Sequence, residues 1–97
     1  NTLTISGVRS EQVGPRATIA YTLSADAEVT VEIRNIAGRL IKRIPCGTES
    51  AGVNSATWDL LNRSGTVVPA GTYLYTIIAR SSDGTQTRAV RTLQISR

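Results

Sequence analysis

Between its turns the chain alternates apolar and polar residues with a period of two, most clearly from Glu28 to Arg34. Val29, Val31 and Ile33 fall on one face there, and Glu28, Thr30, Glu32 and Arg34 on the other. A strand with one face in a core has this period. Arg16 to Leu23 repeats it, with Ile19, Tyr21 and Leu23 inward and Thr18, Ala20 and Thr22 outward. Thr72 to Arg80 is the most apolar run. Tyr73, Tyr75, Ile77 and Ala79 point one way; Leu74, Thr76, Ile78 and Arg80 point the other. Val53 to Asp59 forms a further strand with Ala56 and Trp58 together, and Leu3 and Ile5 mark an opening one. Arg39 to Ile44 and Gln86 to Ser96 break parity, Ile41 against Leu40 and Ile44, and Val90 against Leu93 and Ile95. A bulge is expected in each, or an edge position for the first.

Turn residues separate these runs. Asn35-Ile36-Ala37-Gly38 predicts a tight hairpin in which Gly38 takes positive φ, and Ser82-Asp83-Gly84 a second. Asn62 to Gly65 and Pro69 to Gly71 are further turns, and Pro45 to Gly52 is expected to be a loop. No stretch holds helical spacing for ten residues. The pattern predicts an all-β fold: an immunoglobulin-like antiparallel two-sheet sandwich of about seven strands, with residues 1–97 as one domain.

Composition narrows the function. A domain of this size buries roughly two-thirds of its unfolded surface, which leaves little room for an internal active site. With no His, one Cys and seven carboxylates, the chain holds no triad, thiol–base pair or zinc cluster, so no catalytic, cofactor or metal residues are expected. Glu28 and Glu32 share a strand face about 13 Å apart, too far for a glycosidase pair. They are expected to face arginines such as Arg34 or Arg39. Cys46 should be a small, half-buried side chain. Ten of the eleven cations are Arg, and the net charge is +4. They are spread along the chain without a block, which fits solvated strand positions. No apolar run is long enough to span a membrane.

The ordered series from Val29 to Tyr75 carries a resemblance. Val29-x-Val31-x-Ile33 leads into the Ala37-Gly38-Arg39 hairpin, followed by Ala51-Gly52, Thr57-Trp58-Asp59 and Pro69-Ala70-Gly71-x-Tyr73. This resembles the immunoglobulin-like domain of the flagellar hook-capping-protein type, in which Asn35 stands where Asp is usual. The C-terminal sorting domains of the gliding-bacteria secretion pathway are similar in outline. Glu11 to Pro15 replaces the Asn-Pro-Phe opening of both groups, which weighs against a sorting role. The resemblance implies a non-catalytic accessory module of a larger bacterial protein, secreted or on the cell surface. It would be held together by Gly38, Arg39, Trp58, Asp59, Pro69, Gly71 and Tyr73.

Such a module works by docking. The expected partner is a neighbouring domain of the parent protein, with a cell-surface polysaccharide or protein as the other candidates. A carbohydrate- or polyanion-binding module is the rival reading. All four aromatic residues fall on inward faces, which leaves neither a sugar platform nor a stacking surface, and nucleic acid is not expected as a partner. An exposed Trp58, or three arginines converging in one groove, would favour binding. The outward residues Leu74, Thr76 and Ile78 are the candidate docking patch.

Overall fold

The computed structural model describes residues 3–96 and contains seven strands. They are β1 (Ile5–Val13), β2 (Arg16–Leu23), β3 (Ala27–Asn35), β4 (Leu40–Glu49), β5 (Gly52–Trp58), β6 (Gly71–Arg80) and β7 (Gln86–Ile95). Two antiparallel sheets, ordered β1-β2-β5 and β4-β3-β6-β7, face one another, and there is no helix among the described residues. The core between them is built from the inward parities of β2, β3 and β6, with Trp58 and Ala56 from β5. Trp58, Tyr21, Tyr75, Ile19 and Ile77 are among its largest fully buried side chains.

Three hairpins use the same device. In 35–39, 62–66 and 81–85, the fourth residue is a glycine at φ of 85–90° (Gly38, Gly65, Gly84), whose N–H donates to the carbonyl of the first residue. A side-chain oxygen inside each turn receives a following backbone N–H: Asn35 from Arg39, Asn62 from Ser64 and Thr66, Asp83 from Thr85. Only an acceptor oxygen is needed, so Asn35 serves as well as the Asp that the sequence pattern would place there.

Three expectations are corrected and a fourth is sharpened. Residues 45–49 are strand rather than loop: β4 is an edge strand, where Pro45 lacks nothing that the sheet needs, and two register shifts against β3 carry it through. The final strand has no bulge. Its pairing with β6 is continuous, Ala89 takes the inward slot, and Val90 simply points outward, half exposed. The opening strand is long, reaching Val13, and its irregularity lies between Ser6 and Arg9, where Gly7 takes positive φ. Glu32, finally, pairs with Arg34, one of the two arginines expected, and also with Arg43, while Glu28 stands opposite Arg80.

Candidate docking surface

The motif residues form one knot at the end of the sandwich where β5 leaves and β6 enters. Trp58 Nε1–H donates to the Leu61 carbonyl at 3.0 Å, which turns the chain under the indole. Leu60 adopts φ of 64° there and is buried. Val68 N–H returns to the Leu60 carbonyl at 2.9 Å and buries a second aliphatic side chain. Asp59 accepts from the Leu61 N–H at 3.1 Å. The Tyr73 hydroxyl donates back four residues to the Pro69 carbonyl at 2.6 Å, a tyrosine corner that fixes the Pro-Ala-Gly-x-Tyr turn. The rings of Trp58 and Tyr73 meet edge to face, 5.5 Å apart at 71°, one from each sheet. Gly71 at φ of 150° lets β6 start beneath them. Of the motif residues Gly38 and Arg39 stand apart: Gly38 turns and the Arg39 backbone closes the β3–β4 hairpin, and the Arg39 side chain is exposed. Leu60 and Val68 were missed in the sequence because they lie inside a turn-rich segment without period.

The outer face of the four-stranded sheet carries the outward residues of β6. The register sets Leu74 between Arg34 and Thr92, Thr76 between Glu32 and Val90, and Ile78 between Thr30 and Arg88. Leu74 and Ile78 are half-buried by these neighbours, and Thr76 is buried. With Val90 they make a shallow apolar ridge. Beside it Glu32 is gripped by Arg43 through Nε and Nη2, at 3.1 and 2.9 Å, and by Arg34 at 3.0 Å. Burial alone would raise the Glu32 pKa, but the hydrogen bonds from Arg43 and Arg34 hold it below the usual carboxylate range.

The two open sides of the sandwich differ. Gln12 of β1 closes one by exchanging hydrogen bonds of 2.8 and 2.9 Å with Ser96, just after β7. On the other side, between β4 and β5, two clefts of about 290 Å³ each open beside β4. Arg16, Lys42, Arg43 and Asp59 line one, together with Trp58. Arg39 and Arg63 line the other, where Arg63 N–H donates to the Ile41 carbonyl at 3.1 Å. Farther along, the Tyr21 hydroxyl donates to the Glu49 carboxylate and ties the two sheets. Cys46 lies half-buried near them, and burial followed by the Glu49 charge pushes its thiol pKa up. A thiol so placed is a poor nucleophile. Among the described residues no three His, Cys, Asp or Glu side chains gather to hold a metal ion, and no helix is long and apolar enough to cross a membrane.

Comparison with known proteins agrees with this architecture. FlgD from Pseudomonas aeruginosa superposes over 95% of this chain and 71% of its own, with a TM-score of 0.74 at 22% identity. PorU from Porphyromonas gingivalis, described as dimeric and latent, superposes over 97% of this chain but only 9% of its own length, with a TM-score of 0.77 at 24% identity. These similarities show a shared fold. In sequence, the basal-body rod modification protein FlgD of Salmonella typhimurium is 41% identical over 59 residues, and the chain spans 25% of that protein's length. The Salmonella typhi protein matches equally. The FlgD Ig-like domain model matches residues 5–84, from the start of β1 through the last hairpin. This chain belongs to the FlgD Ig-like domain family.

Proposed function

We propose that this domain is a non-catalytic docking module of a larger secreted or cell-surface bacterial protein. Its outer β6 face would seat against a neighbouring domain of the same polypeptide. The observation that carries the reading is the apolar ridge of Leu74, Ile78 and Val90 on the face turned away from the core. The occupant follows from size. Covering two such aliphatic side chains is worth at most about 3–6 kcal/mol. That suffices to hold a tethered neighbour but not to overcome the entropic cost of joining two free chains. Similar domains are found within longer proteins, such as PorU, of which the match covers 9%.

The test is the double change Leu74→Ser with Ile78→Ser in the full-length protein that carries the domain. Limited proteolysis between this domain and its neighbour should quicken while the domain's own stability falls by only about 1–2 kcal/mol. Unchanged cleavage would remove the docking role.

A further inference from the structure

We infer that the open β4–β5 side binds an anionic polysaccharide, by its charge rather than by its ring faces. The inference does not rest on the docking role. Six cations belong to β4 and what abuts it: Arg16, Arg34, Arg39, Lys42, Arg43 and Arg63. Two carboxylates, Glu32 and Asp59, lie among them. Two further carboxylates, Glu28 and Glu49, stand at the other end of the same β3–β4 ladder, so the positive excess is local to the end of β4 that carries the clefts. Glu32 is already shared between Arg34 and Arg43. Arg16, Arg39, Lys42 and Arg63 have no carboxylate partner among the described residues.

An inward-facing Lys on an edge strand has a simpler use, to keep the edge from pairing with another chain. Lys42, opposite inward-facing Ile33, fills that role. It does not account for Arg16 arriving from the facing sheet, or for Arg63 arriving on the β5–β6 loop. Three separate elements bring unpaired cations to one strand edge. Each cleft, at about 290 Å³, is near the lower limit of small-ligand sites. Arg39, just before β4, and Arg43 within it line different clefts, so the pair of clefts suits a chain of repeated charges better than a single ion.

Other polyanions fit less well. An acidic peptide could not add as a further strand. The β4 edge is broken for that purpose by Pro45 and by two register shifts, and the Ile41 carbonyl is already taken by Arg63. Single-stranded nucleic acid needs exposed aromatic rings, and Trp58, Tyr21, Tyr73 and Tyr75 are all buried. For the same reason a neutral sugar finds no platform. Charged groups spaced along a glycan ask only for side-chain cations.

The experiment is titration of the 97-residue chain with heparin and with polygalacturonate, at about 0.15 M salt, where screening acts over about 8 Å. Duplex DNA, poly-glutamate and neutral dextran serve as competitors. Arg16→Gln with Lys42→Gln and Arg63→Gln should weaken binding to at least one of the acidic glycans by about tenfold or more. Arg9→Gln with Arg88→Gln and Arg91→Gln removes the same charge elsewhere and should bind as the parent does. Buried-tryptophan fluorescence checks the fold of each variant. Should the first triple variant misfold, Arg39→Gln with Arg63→Gln, both exposed positions, replaces it. The inference is overturned if neither acidic glycan binds, if both triple variants lose affinity equally, or if DNA or poly-glutamate binds more tightly.

Discussion

The two faces of β6 are made from alternate residues of the same ten-residue strand, yet they are different materials. Tyr73, Tyr75, Ile77 and Ala79 meet the opposite sheet and are almost wholly removed from water. Leu74 and Ile78 are only shaded by side chains from β3 and β7, in a sheet whose outer surface has no second layer. Burial of Thr76 shows how far shading goes: a central strand hides a small residue between Glu32 and Val90 without any covering layer. Apolar character on the inner face is therefore structural, whereas on the outer face it is available for contact.

The sharpest way to break this contrast is to empty the inner side. Trp58→Ala should cost about 3–5 kcal/mol. Against the roughly 5–15 kcal/mol of a typical domain, that brings the chain close to unfolding, as urea titration would register. A small loss would mean that the Trp58–Tyr73 contact is not what joins the sheets. On the outer side, Leu74→Ser with Ile78→Ser should cost the 97-residue chain only about 1–2 kcal/mol, since both positions are already half wet. A drop as large as that of Trp58→Ala would merge the two faces into one core. Tyr21→Phe removes the one hydroxyl joining β2 to Glu49 and should cost about 1 kcal/mol. Calorimetry should also show the loss disappear when Glu49→Ala, which removes the acceptor, is made first.

The smallest effect is a pH dependence confined to the outer face. The folded Glu32 pKa lies below its unfolded value. Its stabilisation is thus complete above the unfolded carboxylate range and lost as pH falls through the folded value. The Arg partners are substantially exposed, so the contribution should stay under about 1 kcal/mol and shrink with salt. Melting temperature measured down from neutral pH should fall less in Glu32→Gln than in the parent. Asp83, held at about 2 by the Ser81 hydroxyl and the Thr85 N–H, is present in both proteins, so its own loss on acidification cancels from the comparison.

Period alone disclosed the inner face, because β2, β3 and β6 are central or well paired and every inward residue is apolar. It failed where edges relax the rule. On β7 the inward slots go to small Ala89 and to exposed Arg91, so Val90 looked like a parity break. On β4 the proline and glycine that ordinarily end a strand are tolerated because no further strand needs their hydrogen bonds. The basic side was illegible for a different reason. Residue 16, residues 39–43 and residue 63 are far apart in sequence, and only the packing of β5 and its following loop against β4 collects them.

The bond between Gln12 and Ser96 has a mechanical consequence. It places the finish of β7 beside the finish of β1, so β1 begins at the end of the molecule opposite to where β7 stops. Tension drawn between those two points runs along the strands, across a body 41 Å long. The β1–β2 and β6–β7 ladders, whose hydrogen bonds lie perpendicular to the strands, are then loaded in shear, many bonds at once rather than one after another. A domain strung this way should yield only at high pulling force, and cutting the Gln12–Ser96 tie should lower that force without lowering the melting temperature comparably.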